Sequence, residues 1–245
     1  MPEIEYVEDS MESEELLERL CPPVRNWFKD KFPDFTEPQK VAIPRILNGE
    51  HLLLCSPTGS GKTLTAFLTI IDDLVRRSLD GSLPDAVQCV YISPIKALAN
   101  DIEKNLLGPL GEIKERYLPS RAKEIKVGLR TGDTPQSERE KMLRKPPHIL
   151  ITTPESMGLG LASKRFRPIL DQMKWFIIDE MHSLVPTKRG THLSLSMALM
   201  DSVVSSDVQR IGISATMEPL DAVAEFLVAR DSRESDIDPQ KVAIA

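Results

Sequence analysis

Residues 51–63 read His51-Leu52-Leu53-Leu54-Cys55-Ser56-Pro57-Thr58-Gly59-Ser60-Gly61-Lys62-Thr63. A short apolar run, with the composition of a buried strand, enters a turn with two glycines, and a long helical pattern over about 61–78 leaves it. Strand, glycine-rich turn and helix together turn a Gly-Lys-Thr string into a phosphate site. Gly59 and Gly61 are free to take backbone angles that a side chain forbids, so successive amides can face one concavity. The start of the helix adds its positive end. Pro57, Thr58, Gly59, Ser60 and Gly61 are therefore the candidate cradle. Lys62 is the candidate to reach β- and γ-phosphates, and Thr63 the candidate to hold Mg2+ through its hydroxyl. The strict pattern has glycine where this chain has Ser56, so the loop is a variant.

Working outward, helical signals precede the loop at about 13–20, 22–30 and 36–47, the last stopping at Asn48-Gly49. Beyond it, short apolar strands are expected at 87–92, 125–129, 148–152, 173–178 and 208–213, separated by helix-length segments. That rhythm implies right-handed crossovers and an α/β, doubly wound, mostly parallel sheet covered on both faces. One segment argues both ways. Leu193, Leu195, Met197 and Leu199 alternate with small residues as a strand would, yet Leu193, Met197, Met200 and Val204 form a helical stripe. Two parallel strands flank the segment and need a crossover, so helix is the expectation.

A second site string is Trp175-Phe176-Ile177-Ile178-Asp179-Glu180-Met181-His182, a buried strand ending in adjacent carboxylates. Ligands of open parallel sheets gather outside the carboxyl ends of the strands. Asp179 is then the second candidate Mg2+ ligand and Glu180 the group that polarises an attacking water. His182, grouped with the catalytic set, is better placed to relay state elsewhere. The acidic pair alone would read as a solvated cap; the phosphate loop, which needs a second metal ligand, tips the balance.

Composition bounds the rest. The chain has 245 residues, 41% hydrophobic and 28% charged, as ordinary globular domains do. Its net charge of −6 is an end effect, because residues 1–20 hold eight acids and one base while the remainder carries 29 acids and 30 bases. The body is near neutral, which neither demands nor excludes nucleic acid. No apolar run approaches a membrane span. Three isolated cysteines suggest a reducing compartment, so the location expected is cytoplasmic. Residues 1–12 read as a disordered acidic lead-in, 13–235 as one domain, and 236–245 as the start of a connection, with a strand expected over Val242–Ala245.

Taken together, these strings resemble a superfamily 2 helicase of the D-E-x-H type. Besides the two sites above, Ser93-Pro94-Ile95-Lys96-Ala97-Leu98-Ala99-Asn100-Asp101 is similar to motif Ia, and Arg130-Thr131-Gly132-Asp133 to motif Ib. Thr152-Thr153-Pro154-Glu155-Ser156 resembles the motif that follows, and Ser214-Ala215-Thr216 resembles motif III. All six stand in family order. The string Ser93 to Asp101, and Asp179 to His182 running on to Lys188-Arg189-Gly190-Thr191-His192-Leu193, are similar to the large helicase-related (Lhr) group of archaea and bacteria.

The resemblance implies the first RecA-like motor domain of an ATP-dependent helicase, a P-loop ATP hydrolase using Mg2+. Its partners would be single-stranded or partly duplex nucleic acid, with DNA favoured, and a second RecA-like domain that supplies an arginine finger. On that reading the sequence is a fragment nearly inactive alone. Gln39 would read the adenine, although Thr36-x-x-Gln39 is also a capping box and the two roles can alternate. Ser93, Pro94, Lys96, Thr131, Gly132, Thr153, Pro154 and Arg189 would hold a strand's backbone. Ser93-Pro94 and Thr153-Pro154 also read as plain helix caps. Ser214, Ala215 and Thr216 would couple nucleotide state to strand grip through His182. Two alternatives stay open: a translocase or remodeller without unwinding, and a non-catalytic, nucleotide-responsive binding module.

Overall fold

The computed structural model describes residues 2–57, 59–94, 101–205, 207–216, 218–228 and 241–245. Thr58 and Lys96, both candidate ligands, lie outside them, as does most of the motif Ia string. The strands are β1 Glu3–Tyr6, β2 His51–Cys55, β3 Cys89–Ile92, β4 Val127–Arg130, β5 Ile149–Thr152, β6 Trp175–Ile178, β7 Gln209–Ser214 and β8 Lys241–Ile244. They form one eight-stranded sheet in the order β1-β8-β2-β7-β6-β3-β5-β4. Every pairing is parallel.

Alternate residues of each strand feed two cores, as the period of two requires. Leu52, Leu54, Tyr91, Ile151 and Ile177 face one core, covered by helices α1 Ser13–Arg19, α2 Pro22–Lys31, α3 Glu37–Leu47, α4 Lys62–Asp80 and α5 Gly108–Tyr117. Leu53, Ile92, Leu150, Phe176 and Ile178 face the other. That core is closed by α7 Pro154–Ala162, α8 Met181–Leu184, α9 Lys188–Asp201 and α10 Leu220–Val228, while the polar α6 Gln136–Arg144 buries none of its residues. No helix among the described residues is long and apolar enough to cross a membrane.

The ambiguous segment is helical. In α9, Leu193, Met197 and Met200 are buried while Leu195 stays 68% exposed, the helical stripe and not the alternating one. β6 and β7 are parallel neighbours, so the chain between them must return along the sheet.

Both ends join the sheet. The acidic lead-in is not disordered throughout, since Glu3–Tyr6 pairs in register with β8. Asp9 is ion-paired with Arg45 at 2.5 Å, and the Met11 amide donates to the Lys40 carbonyl. The strand expected at Val242–Ala245 is present as β8, Lys241–Ile244, but it belongs to this domain's sheet, hydrogen-bonded between β1 and β2, rather than to a connection. Composition hid the strand β1: its acids lie on a sheet edge where water solvates them, and the ladder with β8 orders the backbone, helped by the Tyr6 hydroxyl on Asp221 at 2.6 Å.

Candidate nucleotide and nucleic-acid site

The phosphate loop is the bend between β2, whose Leu52, Leu53 and Leu54 are wholly buried, and the 19-residue α4. Gly59 and Gly61 adopt φ of 86° and 84°, the left-handed region that glycine enters without strain. Inside the loop the Ser56 and Ser60 hydroxyls meet at 2.6 Å. The Lys62 ammonium turns back onto the loop, donating to the Ser56 carbonyl and, at 2.7 Å, to that of Pro57. Burial pulls its pKa below the ordinary lysine value, against the opposing fields of Glu180 and Asp179. The lysine and both acids stand along one carboxyl edge of the sheet, just past β2 and β6, which are separated by β7 alone.

Gln39 packs on this loop. Its side-chain oxygen accepts the Thr36 amide at 3.0 Å, completing the capping box, and its amide nitrogen lies 3.2 Å from where a Cβ on Gly61 would sit. The Thr36 hydroxyl donates to the Ser60 carbonyl at 3.3 Å. The capping role is therefore realised, and it holds the glutamine against the cradle. Cys55 beside the loop is half-buried, its thiol pushed up to about 11 by desolvation, which makes it a packing group.

Asp179 follows β6, its amide continuing the ladder to the Ile92 carbonyl at 2.8 Å. Only 3% of it is exposed. One carboxylate oxygen accepts the Glu180 amide at 2.8 Å and the other accepts the Tyr91 hydroxyl. Burial raises its pKa to about 6, more than these two bonds lower it. Glu180 takes φ 54°, rare outside glycine, which turns the chain sharply away from the strand end. Its carboxylate lies 3.0 Å from His182 Nε2, and His182 Nδ1 accepts the Ala215 amide at 3.1 Å.

Strand order explains that last contact. β7 lies between β2 and β6, so the phosphate loop and the acids emerge two strands apart, about 10 Å, with Ser214-Ala215-Thr216 between them. Ser214 is in register with Cys55, and Gly212 with Ile178. Gly212 is needed here, since a Cβ would stand 2.3 Å from the Met181 sulfur. Motif III and His182 meet at the Ala215 backbone amide.

Across β3, β5 and β4 the register places Ile92, Thr152 and Arg130 side by side. Ser93, Thr153 and Thr131, each one residue further on, form a row along the carboxyl edge. Ser93, Thr153 and Pro154 are buried, and the Thr153 hydroxyl caps α7 by accepting the Ser156 amide. Thr131, Gly132 and Arg189 are more open. Arg189 is not free: its guanidinium is forked onto Glu155 at 2.5 and 3.1 Å.

Sequence reading missed three participants. Arg139 of α6 shapes the motif Ib loop by donating to the carbonyls of Thr131, Gly132 and Thr134 at 2.8–3.0 Å. Glu155 reads in the sequence only as a letter of its motif, and Tyr91 only as one residue of a buried strand. None lies near its partner in the chain except Arg139, whose eight-residue spacing from Thr131 carries no signal.

Among the described residues no three His, Cys, Asp or Glu side chains cluster as a metal cage. A lone buried carboxylate beside a hydroxyl and a phosphate cradle suits Mg2+, which keeps several waters and binds through one or two carboxylates plus phosphate oxygens.

The profile of the DEAD/DEAH box helicase family matches residues 36–224. The chain belongs to that family. Among its relatives, the ATP-dependent helicase Lhr-Core of Methanocaldococcus jannaschii is 46% identical over 245 residues, covering 98% of this chain and 29% of the relative. The solved structure of the Mycobacterium smegmatis helicase Lhr bound to ssDNA and AMP-PNP superposes with a TM-score of 0.78 at 41% identity, covering 94% of this chain and 28% of that one. The DEAD-box helicase Mss116, solved with ssRNA and UDP-BeF, shares the fold at TM-score 0.78 and 19% identity, covering 99% of this chain and 47% of its own. This chain thus spans under a third of the length of the two Lhr proteins.

Proposed function

We propose that this chain is the ATP-binding first motor domain of an ATP-dependent DNA helicase. The observation that carries the reading is the convergence of Lys62, Asp179 and Glu180 in one crevice at the carboxyl edge of the sheet, tied to motif III by the His182–Ala215 bond. On this reading Lys62 exchanges its two loop carbonyls for phosphate oxygens. The backbone N–H groups of residues 58–61, beside Pro57, cradle the phosphates, and Gln39 reads the base edge when it leaves the Thr36 amide. Thr63 and Asp179 hold Mg2+, and Glu180 orients the attacking water. Bound Mg-ATP would supply the phosphoanhydride whose hydrolysis drives the cycle.

Ser93, Pro94, Lys96, Thr131, Gly132, Thr153, Pro154 and Arg189 would track a strand's phosphates and carry no base specificity. The complex of the M. smegmatis relative with ssDNA and AMP-PNP supports both ligands and favours DNA. A second motor domain would contribute the arginine finger, which in such enzymes supplies ~10³–10⁵ of the rate. The free cysteines support work in the cytoplasm.

The test is Lys62→Ala against a fluorescent ATP analogue with Mg2+. Affinity is expected to fall by more than about tenfold with an unchanged circular dichroism spectrum. Equal affinity would overturn the nucleotide assignment.

A further inference from the structure

The acid at the end of β6 has a partner that none of the motifs contains. Tyr91 stands on β3, opposite Ile177, and is 1% exposed. Its ring lies 4.9 Å from that of Phe67 on α4, the helix that begins at Lys62. Its hydroxyl donates to Asp179. The other Asp179 oxygen is held by the Glu180 amide at 2.8 Å, so each oxygen has one fixed donor and the carboxylate plane is set from both sides. The ladder keeps the geometry rigid, because Asp179 continues the β3–β6 pairing through the Ile92 carbonyl.

We propose that Tyr91 is a positioning residue for the magnesium site, orienting Asp179 toward the metal's water shell while Phe67 holds its ring against the phosphate-loop helix. The proposal rests on the nucleotide reading above. One donor on each oxygen leaves further lone pairs for metal-bound water, whereas a carboxylate without the phenol is free to rotate about its terminal torsion. Groups that orient metal ligands from behind are worth roughly 10–100-fold in metal affinity. The arrangement also joins both halves of the site mechanically, since α4 leaves the phosphate loop and Phe67 touches the residue that holds the acid. A tyrosine kept merely to satisfy the core would serve the fold and have no bearing on magnesium.

The experiment titrates a fluorescent, non-hydrolysable ATP analogue at stepped free Mg2+, with a parallel arm in EDTA, for the parent and Tyr91→Phe. Phenylalanine keeps the ring and its contact with Phe67. The Mg2+ midpoint is expected to rise about tenfold, with nucleotide affinity in EDTA unchanged. Adding Tyr91→Phe to Asp179→Asn is expected to change nothing further, because the carboxylate it orients is gone. A purely structural tyrosine would weaken both arms alike and would add its effect to that of Asp179→Asn, which overturns the proposal. A parent that responds to Mg2+ with a Tyr91→Phe midpoint equal to it removes Tyr91 from the site and leaves the nucleotide reading intact. A parent that binds the analogue without any Mg2+ dependence sinks the proposal together with the magnesium ligands assigned above, and leaves the phosphate loop's role standing.

Discussion

Replacing Asp179 with Asn is expected to stabilise the nucleotide-free protein above pH 6 while removing its response to Mg2+. Asp179 is nine-tenths buried or more, and burial lifts its pKa from 3.8 to about 6. A carboxyl raised in the folded state contributes stability that is complete below the unfolded pKa and is lost as pH rises through the folded one. Above pH 7 both states are ionised, and a shift of about two units corresponds to about 3 kcal/mol. Asparagine carries no charge to desolvate. Its oxygen can accept the Glu180 amide and its NH2 can donate to the Tyr91 hydroxyl, so both bonds survive.

The variant's advantage should therefore be about 3 kcal/mol at pH 8 and about half that at pH 5, where most folded molecules already carry the proton. Urea unfolding in EDTA, followed by the fluorescence of Trp27 and Trp175, measures it. Adding Mg2+ on top of a saturating non-hydrolysable ATP analogue should stabilise the parent further and leave the Asp179→Asn variant unmoved. An advantage that does not vary with pH, or a variant less stable than the parent at pH 8, would refute the reasoning.

Arg210, 1% exposed on β7, is paired with both oxygens of Asp201 at 2.5 Å and donates to the Leu227 carbonyl at 2.9 Å; Arg210→Ala should cost about 3–5 kcal/mol in urea unfolding by leaving Asp201 unpaired. Gly190→Ala should cost about 1–3 kcal/mol, since its Cβ would stand 2.5 Å from the Leu184 carbonyl oxygen, and a full-stability variant would contradict that packing. Arg139→Ala should speed amide hydrogen exchange across 131–134, because three carbonyls of that loop lose their donor. Steady-state ATPase of this chain with saturating ssDNA should be close to background; robust stimulation would place a catalytic arginine within residues 1–245.

The sequence by itself determined the phosphate loop, the acidic strand end and the parallel α/β plan. These are local: a glycine pair between strand and helix, or an apolar run broken by Asp179-Glu180, sets backbone angles and periodicity without knowledge of the rest of the chain. It also contained the helix of residues 188–201, once the geometry of parallel strands was weighed against the apparent alternation. Tertiary structure alone decided what met what. β1, which no side-chain pattern announces, is ordered by backbone bonds to β8. Strand order set motif III between the loop and the acids, so that His182 found the Ala215 amide. The buried donor on Asp179 came from Tyr91, 88 positions away, in a strand whose letters read only as core. Such pairings depend on which strands become neighbours and in what register. Sheet assembly fixes both, and neither is written in any single segment.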